Sequence, residues 1–459
     1  MRGISGGMAA LMASAAFLAA ACGGGGTDGP ELGTCPIGLV DQATSPANID
    51  FWFAEQAANQ DTLLRMVDEF NASQDKIRVT AAFQGSYDES TSKYLAALRS
   101  GALPDIVQVV DFETQRVIDS QSVARAQDCI DAENYDLSDY LPRVVAYWSV
   151  GGDLWSYPFT AAADVLYYNS LAFQKAGLDP ADPPATLDEV RAYSQKLVDT
   201  GTTRHGIAIE MHSWSIENWL SKFDQPIVNN DNGRTARATQ AVFDSDPGRE
   251  LFWWLDAMVD DGLAVNVGRN PSGADTLLTI GAGDSAMTHG SSAAMRSVFG
   301  VLESGEFPDV KVAVSPMAGG EGGVVVGGAS LFIVNKSSPV EQEAARIFAR
   351  WLNEPAQQAE WHIGSGYVPL RTSAAQLPAI QEFWAANPQF RVVYDQLSGD
   401  EVTIANSGAV IGPFSEVRRA IVEGLESMLL QGTDPATALS NAAKAANSAI
   451  SSYNSRLPD

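Results

Sequence analysis

The chain has 459 residues, 45% hydrophobic and 19% charged, enough for two or three domains with ordinary globular interiors. Acidic residues outnumber basic ones, 56 against 29, for a formal charge of -27. A surface that negative repels nucleic acid and anionic headgroups, so neither is an expected partner.

Arg2 precedes an uncharged, largely apolar run, "MAALMASAAFLAAA", over residues 8–21, and then Cys22. The run falls short of the roughly 20 apolar residues that span a bilayer. It reads instead as a secretory signal over residues 1–21, with small residues before the cut. "AAAC" at 19–22 resembles a bacterial lipoprotein signal, in which the cysteine becomes the lipidated first residue. Ala19 stands where that pattern usually has Leu, so plain secretion after Ala21 is the alternative. Residues 22–46, with "GGGGTDGPELG", read as a flexible tether. With Cys22 lipidated, Cys35 and Cys129 remain as an even pair in an oxidising compartment. A structural disulfide between them is expected, two free thiols being the alternative.

Beyond the tether, "IDFWFA" is a buried-strand pattern, followed by "DTLLRMVDEFNAS" with Leu63, Val67 and Phe70 on one helical face. "IRVTAAF" predicts a second strand, "STSKYLAALRSG" a second helix closed by Gly101, and "PDIVQVVD" a third strand covered on both faces. Strands alternating with helices predict parallel βαβ units and an α/β class. Thr186 and Glu189 form a capping box that starts the next helix. "FWWLDAMVDDGL" is helical, "GGVVVGGASLFIVN" predicts a glycine-kinked hairpin or paired strands, and "VEQEAARIFARWLNEP" an amphipathic helix. "DPATALSNAAKAANSAI" predicts a last helix with Pro435 in its first turn.

Catalytic and metal signatures are missing. His205, His212, His289 and His362 stand apart, without HExxH or paired-cysteine spacing. No G-x-S-x-G elbow or P-loop lysine motif occurs. "NNDNGRT" at 229–235 lacks the first acid of a calcium loop and reads as a turn. No cofactor is expected.

"VLYYNSLAFQKAGLDPADPPATLDEV", "GDSAMTHGSS", "GGASLFIVN" and "AEWHIGSGYVPL" together resemble the extracytoplasmic solute-binding proteins of ABC importers, family 1. Within that family, "QGSY", "GGAS" and "GYVP" are most similar to the glycerol-3-phosphate-binding branch. The resemblance implies a two-lobed periplasmic-binding-protein-like fold of type II, each lobe a mainly parallel sheet flanked by helices. About three chain crossings form the hinge. Residues 47–162 and 289–352 are assigned to lobe 1, and 163–288 and 353–459 to lobe 2. It further implies a non-enzymatic monomer that presents a small solute to permease subunits, anchored extracytoplasmically through Cys22.

The resemblance also implies a ligand set. Tyr87 matches a pocket tyrosine, Asp111 an acid that binds ligand hydroxyls, and Trp214 an indole that packs on the ligand. Ser291 and Ser292 match polar contacts, and Gly328 a glycine allowing close backbone approach. Tyr367 sits in a glycine-hinged loop after a helix, where its ring and hydroxyl can serve a ligand. Arg418 is implied as the clamp of a phosphate. Each has a plainer reading: Arg418 a solvated helix arginine, Asp111 a helix cap, Trp214 and Tyr367 core aromatics. The two serines also stand where a helix is predicted to start, a favourable place for an anion.

Two departures bear on the ligand. "TAAAD" at 160–164 replaces a polar run with alanines and adds Asp164, and Met211 beside Glu210 stands where a second tryptophan is expected. Added carboxylates repel a phosphate dianion and suit hydroxyls or a choline-type cation beside Trp214. Glycerol 3-phosphate, a glycerophosphodiester and a neutral sugar or oligosaccharide all remain expected ligand classes. A secreted carbohydrate-active enzyme is the alternative of another kind.

Overall fold

Two five-stranded sheets, each flanked by helices, carry the architecture of this computed structural model, which describes residues 35–270 and 273–457. The strands are β1 (Ala47–Phe53), β2 (Ile77–Phe83), β3 (Ile106–Val110), β4 (Tyr157–Pro158), β5 (Asp164–Asn169), β6 (Ile207–Ile209), β7 (Ala264–Asn266), β8 (Met287–Ser291), β9 (Val312–Pro316) and β10 (Ala329–Ile333). The first sheet has the order β2-β1-β3-β10-β4, with β1 parallel to β2 and β3, and β10 antiparallel to β3 and β4. The second has the order β9-β5-β8-β6-β7, with β5 antiparallel to β8 and β9, and β6 parallel to β7 and β8.

The helices used below are α1 (Ala57–Ser73), α2 (Tyr87–Ser100), α3 (Thr114–Asp119), α4 (Leu187–Asp199), α5 (Ser213–Lys222), α6 (Met295–Leu302), α7 (Pro339–Leu352), α8 (Pro355–Ser365), α9 (Gln389–Gly399), α10 (Phe414–Gln431) and α11 (Pro435–Asn454). α1 buries Leu63, Met66, Val67 and Phe70 at helical spacing. Phe70 meets Phe348 and Trp351 of α7, at 5.0 and 5.2 Å between ring centroids. Reciprocal capping boxes start α2 (Ser86, Glu89), α4 (Thr186, Glu189) and α7 (Ser338, Glu341). Gly101 closes α2 in the left-handed conformation, as its place in the sequence predicts.

The sheets correct the expected division of the chain. β8 and β9 lie in the second sheet, so much of 289–352 does not belong with the first. α8 packs on α1 beside the first sheet, although 353 onward was expected in the other lobe. The expected hairpin in "GGVVVGGASLFIVN" is one strand, β10, preceded by a non-strand segment. That segment's polar backbone is used elsewhere: it links the two sheets.

The chain passes between the sheets over 158–164, 316–329 and, between α8 and α9, 365–389. These connections are laced together. Ala162 and Gly327 exchange both backbone hydrogen bonds, at 2.8 and 2.9 Å, and the Val368 N–H donates to the Ala161 carbonyl at 2.7 Å. Thr160 N–H donates to the Ala329 carbonyl at 3.0 Å, and Ala329 N–H to Thr160 Oγ1 at 2.6 Å. Ala161, Ala162 and Ala163 are buried here.

The first described residues are not loose. Cys35 is disulfide-bonded to Cys129, with Cα atoms 4.9 Å apart. The N–H groups of Gly38, Leu39 and Val40 donate to the Glu343 carboxylate of α7 at 2.6, 2.6 and 2.9 Å. The flexible tether expected over 22–46 is therefore corrected for residues 35–46, which are fastened to the first sheet's helices. Cys22 and the signal segment lie outside the described residues.

Gly328 has φ +133°, and a Cβ there would stand 2.4 Å from the Thr160 carbonyl oxygen. Both the backbone conformation and the contact exclude a side chain. Gly328→Ala is expected to lower unfolding free energy by about 2–4 kcal/mol in urea denaturation. An unchanged midpoint would show that the crossing tolerates a side chain.

Candidate functional site

The carboxyl ends of the parallel strands in both sheets point toward the crossings, the edge where α/β folds bind ligands. On the first sheet that edge carries Glu55 after β1, Tyr87 at the start of α2 and Asp111 after β3. On the second it carries Asp164 at the start of β5, Glu210 after β6, and Ser291 at the end of β8.

One hydrogen-bonded group of side chains is centred on Glu55. Tyr87 donates its hydroxyl to Glu55 Oε1 at 2.8 Å, and its oxygen lies 3.3 Å from the Tyr367 hydroxyl. Gln108 Nε2 also donates to Glu55, at 2.8 Å. Burial pushes the Glu55 carboxyl up despite these donors. Tyr367 follows Gly366, which ends α8 with φ +88°, so the ring leaves a helix terminus at a fixed angle. It stacks on Trp361 at 5.6 Å with planes 12° apart. Its carbonyl accepts from His362 Nδ1 at 2.7 Å, while His362 Nε2 accepts from Trp384 at 2.8 Å. Burial lowers the pKa of His362 to about 4, in keeping with one N–H and one acceptor nitrogen. The glycine-hinged loop is thus a helix stop that pins Tyr367 at the third crossing.

A second group spans the two halves. Arg418 of α10 donates Nε and Nη2 to the two oxygens of Glu217 of α5, each at 2.8 Å. Its Nη2 is 3.8 Å from Asp111 Oδ2, which accepts the Tyr147 hydroxyl at 2.7 Å. The guanidinium lies over Phe112 and Phe414, at 4.4 and 4.7 Å from the ring centroids. Burial works against its charge, but Glu217 and Asp111 outweigh that and hold its pKa above the ordinary value. Arg418 is therefore not a solvated surface arginine. Nor is it a free clamp, because one edge of its fork is already taken.

Trp214, at the start of α5, is 8% exposed and presses on the second crossing. A Cβ on Gly327 would come within 2.8 Å of its ring. Its Nε1 finds no hydrogen-bond partner among the described residues. The serines are used locally: Ser292 Oγ accepts from Ala163 N–H at 3.1 Å, and Ser291 Oγ from Ala293 N–H at 3.2 Å. Ser291 caps a three-residue 3-10 turn, Ser292–Ala294, that runs directly into α6, so helical structure starts at the serines. Gly328 serves the crossing through its contact with Thr160.

Sequence reasoning missed Glu55, Tyr147 and Glu217. Glu55 follows a strand as Asp111 does, and Glu217 lies three residues after Trp214 on one helix, so both carried a signal. Tyr147 carried none. Outward of Asp111, a cavity of about 210 Å³ lies between Gln115 and Gly151 of the first half and Arg234, Arg237 and Ile411 of the second. It adjoins a smaller one lined by Asp111, Tyr147 and Phe414. Among the described residues no cluster of His, Cys, Asp and Glu is placed to hold a metal ion. None of their helices is long and apolar enough to cross a membrane.

Residues 65–392 match the family described as bacterial extracellular solute-binding protein. The sn-glycerol-3-phosphate-binding periplasmic protein UgpB of Yersinia pestis bv. Antiqua (strain Antiqua) is 29% identical over 415 residues, covering 88% of this chain and 92% of that one. The protein of the same name from Rhizobium meliloti (strain 1021) is 29% identical over 424 residues, covering 91% and 97%. Among solved structures, UgpB from Mycobacterium tuberculosis in complex with glycerophosphocholine superposes with TM-score 0.71 at 22% identity, covering 90% of this chain and all of that one. The cyclic alpha-maltosyl-1,6-maltose binding protein from Arthrobacter globiformis gives 0.72 at 23%, covering 89% and 100%. With two lobes facing a shared polar edge and a family match over most of its length, the chain belongs to the bacterial extracellular solute-binding proteins.

Proposed function

We propose that this protein is the solute receptor of an ABC importer, taking up glycerol 3-phosphate or a glycerophosphodiester and delivering it to permease subunits. The observation that carries the reading is the position of Arg418, a buried cation between Glu217 of one half and Asp111 of the other. A phosphate entering there meets a charge already desolvated and oriented, with one side of the guanidinium left to accept it. The relatives named for glycerol 3-phosphate support the same ligand class. A neutral sugar is the second reading, favoured by the carboxylates at the second sheet edge. In either case the protein acts as a monomer, performs no chemistry on its solute, and is held at the outer face of the membrane through lipidated Cys22.

Calorimetry with glycerol 3-phosphate, glycerophosphocholine and maltose tests this reading. A phosphorylated solute is expected to bind, and Arg418→Ala to weaken it at least about tenfold, or about 1.4 kcal/mol. Binding of a phosphorylated solute that Arg418→Ala leaves unchanged contradicts the assignment.

Glu210 gives the cleft a pH-dependent charge. Burial raises its pKa to about 7, with Asp164 adding to the shift, from an ordinary 4.5. A carboxyl raised on folding contributes stability that is complete below the unfolded value and is lost as pH rises through the folded one. Between pH 4.5 and 8, wild type should therefore lose up to roughly 3 kcal/mol relative to Glu210→Gln. Parallel stability curves for the two proteins would show that Glu210 does not titrate in this window.

A further inference from the structure

Asp164 ends the alanine-rich crossing at the carboxyl edge of the second sheet's parallel strands, and no described residue hydrogen-bonds its carboxylate. It is fully buried, and neither carboxylate oxygen has a hydrogen-bond partner among the described residues. Its Oδ1 lies 3.8 Å from His289 Nδ1, beyond hydrogen-bond reach, and both His289 ring nitrogens are also unpartnered there. In the β5–β8 pairing Asp164 opposes Ser291 and His289 opposes Leu166, so the two side chains are diagonal neighbours on one face. His289 is held edge-on by Trp219 at 5.1 Å. Glu210 ends the adjoining strand and senses the Asp164 charge, as does His212, which also senses Arg418. Asp164, Glu210 and the His289 imidazole thus collect at the carboxyl edge of the second sheet's parallel strands.

We propose that Asp164, backed by Glu210, is an acceptor subsite for the head group on the far side of the phosphate from the glycerol, selecting a glycerophosphodiester whose head bears hydroxyls. The inference rests on the solute-receptor reading above. A carboxyl group buried without a hydrogen-bond partner is costly, and nothing among the described residues donates to this one. A hydroxyl supplied by the solute removes that cost and gains a charge-assisted hydrogen bond. A phosphomonoester dianion here is repelled by Asp164. A quaternary ammonium brings charge but no N–H or O–H, so it leaves both oxygens unpartnered. Arg418 is already paired with Glu217 and approached by Asp111, which suits the single charge of a phosphodiester better than two.

The test compares two phosphodiesters of different head group, glycerophosphoglycerol and glycerophosphocholine, by calorimetry on wild type and Asp164→Asn. The isosteric variant is expected to weaken glycerophosphoglycerol at least tenfold and glycerophosphocholine less than threefold. Equal losses for the two probes, or none, overturn the subsite while leaving the receptor reading in place. Failure of wild type to bind either probe overturns the glycerophosphodiester reading, and the subsite with it. Should Asp164→Asn not fold, wild type is titrated with glycerophosphopropanol, whose head lacks the hydroxyls. A tenfold loss relative to glycerophosphoglycerol supports the subsite, and equal affinity overturns it.

Discussion

The structure depends on one set of backbone hydrogen bonds: those joining Ala161 and Ala162 to Gly327 on one side and Val368 on the other. Three crossing segments meet there; Asp164 ends the first, Trp214 touches the second and Tyr367 lies in the third. Thr160 and Ala329 extend the lacing toward the first sheet, while Ser292 and Ala163 extend it toward the second. Such a junction permits rotation about a few backbone dihedrals while the hydrogen bonds hold the axis. Glycine is required at 328 because the backbones come close together. Trp214 lies directly on Gly327, so its ring is in contact with the crossing itself.

The cleft resolves its electrostatics by pairing most of its charge before any solute arrives. Arg418 is matched by Glu217 and approached by Asp111, and Glu55 is shared among Tyr87, Gln108 and Asn59. Groups paired in this way need little reorganisation when a ligand binds, which favours affinity. The outer rim is joined by ion pairs of a different kind. Arg237 of the second half forks onto Asp119 of α3 at 2.9 and 2.6 Å, Tyr453 of α11 donates to the same acid at 2.9 Å, and Arg116 of α3 meets Glu416 of α10 at 2.6 Å. These contacts are partly exposed and individually weak. They fit halves that come together and separate.

Much of this was legible in the residues. Strand runs such as "IRVTAAF", the Thr186 cap and the glycine stop at 101 each carry local physics, and each fell where that physics puts it. Sheet membership was not legible. β8 and β9 look like any other buried strands, and only long-range pairing with β5 places them in the second sheet. The run "GGVVV" has strand composition, yet Gly327 and Gly328 and the close approach of Thr160 commit it to a crossing. Tyr367 and Arg418 were singled out by resemblance. The partners that define their settings, Glu55 and Glu217, are ordinary acids among 56 and become visible only when the chain folds.

The central claim is that the two halves rotate about the laced crossings to enclose one solute. Small-angle scattering of the protein without its signal segment, with and without a saturating glycerophosphodiester, measures this most directly. The account predicts a smaller radius of gyration with solute, and loss of that contraction in Gly328→Ala. A scattering curve that does not change on confirmed binding would contradict it.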